Sequence, residues 1–309
     1  MESNQSTAWP ELRYKAWADT LETLHMWTQI AGKVKLELAP FLNEYWQVAF
    51  HVTARGLSSG LVPYRERALQ MDFDFIDHRI YLSTSDGKVQ RLALAPKSVA
   101  DFYHEFMDAL RQMGIEVSIN TTPDEVPNPI PFDQDRTHAS YDAEYAHRFW
   151  QILVQVDKIV QRFRSPFIGK SSPVNFFWGS FDLSETRFSG RPATQPRGPE
   201  FYRLSEDQQN YACGFWPGNP NAAGVKLGEP AFYAYSYPQP GGFKEAAVQP
   251  GPAHFESQLG EFILPYKDAR TMESPADGIL EFFQSTYDAA ADLGHWDRQY
   301  LERQPPHKP

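Results

Sequence analysis

The chain has a single cysteine, Cys213, among its 309 residues. A lone thiol makes neither an intramolecular disulfide nor a multi-cysteine zinc site. Positive charge is also scarce: 29 lysines and arginines stand against 39 aspartates and glutamates, a net charge of −10. Nucleic-acid backbones and anionic membranes both need a basic footprint, so neither is an expected partner. No apolar run approaches the ~20 residues of a membrane span, and no basic-then-apolar leader opens the sequence. A soluble protein in a reducing, cytoplasmic setting is the expectation.

Catalytic signatures are missing as well. The glycine-rich dinucleotide fingerprint is absent, and Trp178-Gly179-Ser180-Phe181-Asp182 lacks the second glycine of a nucleophile elbow. Gly169-Lys170-Ser171 ends like a phosphate loop, but Arg164 stands where the first glycine belongs. A helix also precedes it, where that motif needs a strand. Neither His-x-x-x-His nor a calcium-loop spacing occurs, so no metal is expected and no motif names a cofactor.

What is present is apolar and aromatic material, 41% and 15% of the chain, ample for a packed interior. The length favours two domains or one large duplicated one. Trp17, Leu21, Leu24, Ala31, Val34 and Leu38 recur at helical spacing up to Pro40. Residues 46–55 alternate as a strand with Trp46, Val48, Phe50 and Val52 on one face, and 71–75 alternate likewise. Asp86-Gly87 between two alternating runs predicts a two-residue hairpin turn with positive φ at both positions. Ser98 opens a helix that carries Phe102, Phe106 and Leu110 inward to Gly114. Residues 123–135 are rich in proline and acid and read as a linker. Beyond it a helix runs from Tyr145 to Phe163, strands are expected at 174–184, 211–216, 231–237 and 261–266, and a last helix at 275–293.

The order helix, strands, helix therefore occurs twice. Pro40-Phe41-Leu42-Asn43 ends the first long helix and Pro166-Phe167-Ile168-Gly169 its counterpart, while Trp46 precedes Arg55 by the same interval as Trp178 precedes Arg187. The expectation is an α+β fold of two similar helix–antiparallel-sheet–helix halves, an internal duplication. The divisions are 1–122, a proline-rich linker at 123–140, 141–298, and a polar tail at 299–309. The cleft between the halves is the default ligand site.

Three constellations could carry chemistry. Lys170, Asp182, Arg187 and Arg191 bring cations beside hydroxyls, and arginine's planar fork suits a carboxylate or phosphate; surface ion pairing explains the same residues. Trp178, Trp216, Tyr233 and Tyr235 suit an apolar cavity with a wet end, or a core seam. His51 with Asp72 and Asp74 would serve acid–base or metal chemistry if their strands neighbour, although charge pairs on a solvated sheet face are common. Arg187 is expected to be fixed by Asp182 or Glu185, of which Glu185 shares its strand face. The leading functional expectation is a protein that binds a small molecule in an aromatic, arginine-lined cleft. A hydrolase or metal-dependent enzyme using His51, Asp72 and Asp74 is the alternative, and a non-catalytic scaffold the third.

The segments LHMWTQIAGKV, VTARGL, SVADFYHEFMDALRQMGIEV, FIGKSSPVNFFWGSFDLSETRFSGR, GFWPG, AFYAYSYP and GEFILPY resemble those of a family of uncharacterised bacterial proteins, a domain of unknown function. The resemblance runs from Trp9 to about Arg298. It implies no activity, cofactor or catalytic residue.

Overall fold

A computed structural model describes residues 8–194, 200–218 and 228–304. Its first element is α1 (Tyr14–Leu38), a helix buried on most of its circumference. Trp17, Leu21, Leu24, Trp27, Ile30, Ala31 and Val34 pack into the core, and the helix continues through Gly32 as the apolar spacing predicts. A burial this wide carries polar side chains inward, and they must find partners. Thr20 and Thr23 accept from the amides of Asp142 and Ser140, and Gln29 holds both backbone groups of Asp124. The segment 123–142 is tied along α1 in this way, with Phe132 fully buried.

The first sheet follows: β1 (His51–Val52), β2 (Gly56–Ser58), β3 (Val62–Tyr64), β4 (Arg67–Asp74), β5 (Arg79–Thr84) and β6 (Val89–Ala93). The order is β1-β2-β4-β5-β6, with β3 beside β2 on the same edge of β4, all antiparallel. Leu57, Leu69, Met71, Phe73, Ile80 and Leu82 are buried on one face. Each such side chain contributes roughly 1.5–3 kcal/mol by leaving water. Helix α2 (Val99–Gln112) packs here, with Phe102 stacked on Trp27 at 4.7 Å. Ser98 caps α2 by accepting from the Asp101 amide, as the sequence predicts.

Helix α3 (Ala143–Arg164) is capped by Asp142 and begins the second half. The second sheet has the order β11-β12-β10-β9-β8-β7, again antiparallel. Its strands are β7 (Asn175–Phe177), β8 (Asp182–Pro192), β9 (Gln208–Trp216), β10 (Ala231–Tyr237), β11 (His254–Glu256) and β12 (Glu261–Pro265). A short helix α4 (Glu200–Ser205) lies between β8 and β9, and α5 (Tyr266–Ala269), α6 (Pro275–Leu293) and α7 (Arg298–Leu301) complete the chain. One face of this sheet, with Tyr211, Cys213, Phe215 and Phe232, packs on Phe163 of α3 and Phe283 and Tyr287 of α6. The fold is α+β: two antiparallel sheets of six strands, each covered by helices.

The sheets meet at one bridge, where Phe50 and Phe176 exchange hydrogen bonds of 2.9 and 2.8 Å. These two residues stand 126 positions apart (176 less 50), as do Pro40 and Pro166 and the helix ends Leu38 and Arg164. The interval also carries the start of β2, Gly56, onto the start of β8, Asp182.

Three local expectations are corrected. Residues 46–55 are not one strand: Asn43–Val48 form a 3-10 turn and only His51–Val52 are β. Residues 174–184 form a hairpin, because the chain reverses at 178–181 with Phe181 at φ 61°. Phe177 therefore opposes Asp182, and Phe176 opposes Leu183, so Phe176 and Asp182 lie on different faces. At Asp86-Gly87 only Gly87 has positive φ, at 91°, and the turn is closed by Gly87 N–H donating to Thr84. That is a longer hairpin loop with one left-handed residue rather than a two-residue turn.

Candidate functional site

The face of the second sheet turned away from α3 and α6 is the floor of a cavity of about 740 Å3. Strand alternation puts Asp182, Ser184 and Thr186 of β8 on this floor, with Asn210 and Trp216 of β9, Tyr233 and Tyr235 of β10, and Glu261 and Ile263 of β12. The walls come from distant parts of the sequence. The 3-10 turn supplies Glu44, Tyr45, Trp46 and Val48, the segment along α1 supplies Asp124 and Glu125, and α4 supplies Glu200, Phe201 and Tyr202. Seven carboxylates, those of Glu44, Asp124, Glu125, Asp182, Glu200, Glu206 and Glu261, line the space. Among the described residues no lysine, arginine or histidine does.

Trp178 is held by close approach of helix and loop. Its indole N–H donates to the Val48 carbonyl at 3.0 Å. Its ring lies so near Gly32 of α1 that a Cβ there would come within 2.3 Å of Nε1, and only glycine leaves that space. Beneath the loop, His25 Nε2 is 2.9 Å from the Gly179 carbonyl, and burial pushes this imidazole down to about 4, so it is neutral. A neutral imidazole bound to a carbonyl there donates its Nε2–H. Glu125 is placed by its neighbour: Gln29 binds the Asp124 amide and carbonyl, and Lys33 Nζ pairs with the Asp124 carboxylate at 2.7 Å.

Electrostatics follow from the crowding of acids. Burial raises the Asp182 carboxyl, against hydrogen bonds from Ser180 and Tyr233 that lower it. Glu125 is open to the cavity yet enclosed by protein, and burial, then the charge of Asp182, pushes it up to about 7. Glu261 rises to about 7 for the same two reasons. Glu206, also raised to about 7 by burial, accepts from Asn210. Carboxyls held near neutrality can exchange protons with a ligand at physiological pH.

Three of the eight non-glycine left-handed residues among those described border the cavity. Glu44, Tyr45 and Glu125 all have left-handed φ, 53–56°, and all line the cavity. Each such residue costs on the order of 1–3 kcal/mol, and such outliers cluster at functional sites.

The residues singled out from sequence divide by place. Trp178, Asp182, Trp216, Tyr233 and Tyr235 are together on the cavity. Lys170 stands beside it, its Nζ 2.6 Å from Glu44 Oε1 and 4.4 Å from the Phe188 ring centroid. Arg187 lies on the opposite face of β8, fully buried, with Nε 3.6 Å from Glu185 and its guanidinium against Phe163 and Tyr287. Arg191 is exposed and donates to the Gly294 carbonyl. The arginines therefore do not line the cavity: five positions along the strand turn Arg187 to the other face from Asp182, and Arg191 lies beyond the irregularity between Phe188 and Pro192, where Gly190 has φ 81°. His51 opposes Ser58, which opposes Asp72, so His51 and Asp72 are two strands apart, roughly 9–10 Å. His51 borders a separate, shallower cavity with Asp157, Gln161 and Arg164. Asp74 pairs with Arg55 at 2.5 Å and accepts from the amides of Ile76 and Asp77, closing the turn after β4. Among the described residues no group of three or more His, Cys, Asp or Glu side chains is placed to hold a metal ion. No helix among the described residues is long and apolar enough to cross a membrane.

Sequence reasoning missed Glu44, Glu125, Glu206 and Glu261. Only Glu261 carried a usable signal, since it begins a strand that alternates Glu261, Ile263 against Phe262, Leu264.

Fold and site define an α+β protein with an acidic, aromatic cavity between its halves. The chain belongs to a family of unknown function, DUF5996, whose family model matches residues 9–303. No curated protein and no solved structure matches it.

Proposed function

We propose that this protein binds a small organic molecule in the cavity floored by Asp182, Ser184 and Tyr233. The observation that supports the reading is convergence: ten aromatic side chains and seven carboxylates from six separate stretches of chain surround one space of about 740 Å3. Clefts of this size with a few placed polar groups are the usual form of a small-molecule site. The internal duplication is part of the proposal and rests on the shared 126-residue interval and the reciprocal Phe50–Phe176 bridge. A bacterial, cytoplasmic setting rests on the family resemblance, the single buried Cys213 and the net charge of −10.

Native mass spectrometry of the purified protein tests the binding reading. A small adduct should accompany the native chain and be lost in Ser184→Trp, which fills the floor of the cavity. An adduct unaffected by Ser184→Trp places the ligand elsewhere.

A second reading, an enzyme that works by proton transfer, is favoured by one observation. Glu125 and Glu261, both raised to about 7, flank the buried Asp182 and would donate or accept protons at neutral pH. Turnover lost in Glu261→Gln while binding persists would select it over simple binding.

A further inference from the structure

The charged groups of the cavity wall are of one kind: seven carboxylates line it, and among the described residues no lysine, arginine or histidine does. Glu44 Oε2 and Asn210 Oδ1 are buried with no hydrogen-bond partner, and both residues line the cavity. Each is an acceptor, and a buried acceptor without a donor is costly enough to require explanation. Asn210 cannot supply the missing donor, since its amide already serves Glu206 and the Gln208 carbonyl. Both oxygens are closed off from the open space, and it is the seven carboxylates lining that space that call for a ligand bringing N–H or O–H groups.

Charge decides between those two. Asp124 and Glu44 have cationic partners in Lys33 and Lys170, whereas Glu125, Asp182 and Glu261 have none. Glu125 and Glu261 each feel the charge of Asp182, yet the three are not placed to hold a metal ion. Glu206 and Glu44 form a second acidic group on the same cavity. Two acidic groups on one cavity, with aromatic faces around them, suit an organic cation with more than one charge.

The chain already uses this chemistry at the cavity edge. The Lys170 ammonium sits between the Glu44 carboxylate at 2.6 Å, the Phe188 ring at 4.4 Å and the Trp46 ring at 5.4 Å. Those three partners are cavity residues.

From this we propose that the ligand is an aliphatic amine with two or more protonated nitrogens, one held by Asp182, Glu125 and Glu261 and another beside Glu206 and Glu44. The inference rests on the cavity-binding reading above. Ammonium groups donate to the lining carboxylates, neutralise the acidic groups, and lie against Trp178, Tyr202 and Tyr235.

Isothermal titration calorimetry with matched probes tests it. The pair is 1,5-diaminopentane and 1,5-pentanediol, equal in length and differing in charge, with spermidine as a longer cation and maltose as a neutral polyol. The diamine should bind at least 100-fold more tightly than the diol, and spermidine more tightly still. Glu261→Gln, of nearly the same shape, should weaken diamine binding at least tenfold, while Arg191→Ala, remote from the cavity, leaves it unchanged. Diol or maltose binding as tightly as the amines would overturn the amine assignment and leave the cavity reading standing. An adduct in native spectra that Ser184→Trp abolishes, together with no amine binding, would do the same. Amine binding that survives both Glu261→Gln and Asp182→Asn would also overturn it. Failure of every probe, with no adduct in native spectra, would remove the cavity reading itself.

Discussion

Arg187→Ala strikes the fold at its most heavily committed charge. The guanidinium is buried, 3.6 Å from a Glu185 carboxylate that is itself buried, and it donates to the Phe163 carbonyl near the end of α3. Its carbon centre lies 3.4 Å from the Phe163 ring centroid and 4.5 Å from that of Tyr287. Alanine would leave Glu185 with Arg164 alone, 3.8 Å away, beside a void lined by rings. Removing one partner of a buried pair costs about 3–5 kcal/mol, a large share of the roughly 5–15 kcal/mol that holds a protein folded. Burial holds the Glu185 carboxyl up at about 7 despite both guanidiniums. A group raised in the folded state contributes stability below its unfolded value near 4.5 and loses it as pH rises through the folded value. Without Arg187 that carboxyl rises further, so the variant's deficit should be larger at pH 8 than at pH 5.5, where the acid is neutral in both proteins. Urea denaturation followed by tryptophan fluorescence reads this directly. With a slope of about 3 kcal/mol per molar, the midpoint at pH 8 falls by on the order of 1 M. The double variant Arg187→Met/Glu185→Leu removes both charges and should return to within about 1 kcal/mol of the parent. A single variant as stable as the parent at pH 8, or a double variant as damaged as the single, would refute the reasoning.

Gly32→Ala forces the Trp178 indole off the Val48 carbonyl, and overpacking of this kind costs about 1–3 kcal/mol; a red shift of tryptophan emission with a lowered urea midpoint is expected, and unchanged emission would contradict the contact. Ser98→Ala removes the cap of α2 and should cost about 0.5–2 kcal/mol by urea denaturation, with no effect on probe binding. Burial lifts Glu261 to about 7, so the parent should lose stability relative to Glu261→Gln as pH rises from about 4.5 through 7, by about 1–3 kcal/mol once water in the cavity is allowed for; a flat difference between pH 5 and 8 would show the carboxyl to be ionised throughout.

The elements legible in the sequence were those whose pattern and punctuation agree. Helix α6 runs over 275–293 as predicted, with Ile279, Phe282, Phe283 and Tyr287 inward, Pro275 at its first turn and Gly294 just after it. Strand β10 alternates cleanly, because one of its faces meets helices and the other the cavity. Residues 46–55 misled because Trp46, Val48 and Phe50 are all apolar for different reasons: Trp46 and Val48 border the cavity, and Phe50 bridges the sheets. Nothing local announces that Glu44 and Tyr45 adopt left-handed backbone, since tertiary contacts impose it.

Half of the site was legible and half was not, and the division is physical. Asp182, Trp216, Tyr233 and Tyr235 stand on one sheet, where alternation fixes the face they share. Glu125 and Glu206 reach the same space from outside the sheet, and no periodicity connects them to it. Arg187 drew notice as an arginine beside aromatic surface, which describes a ligand anchor and a buried pair equally well. The decisive clue was parity: an odd separation from Asp182 puts Arg187 among the helices, and an even one makes Glu185 its partner.

The ladder pairing explains why only the second sheet bears the cavity. Across the first sheet one row reads Ser58, Asp72, Tyr81, Arg91, and across the second the corresponding row reads Ser184, Gly214, Tyr233, Ile263. Serine and tyrosine keep their places in both rows, as the proposed duplication requires. Between them the first sheet carries a charged side chain and stacks Arg91 over Tyr81 at 5.7 Å, the habit of a face turned to water. The second sheet has glycine in that place, and a Cβ there would come within 2.6 Å of the Tyr233 hydroxyl. With no side chain at Gly214, Tyr233 reaches across the floor to Asp182 and a depression is left above them. The 3-10 turn, the segment along α1 and α4 then wall that depression with carboxylates. One sheet thus keeps a solvated face, and the other becomes the floor of a cavity through one missing side chain and walls drawn from the 3-10 turn, the segment along α1 and α4.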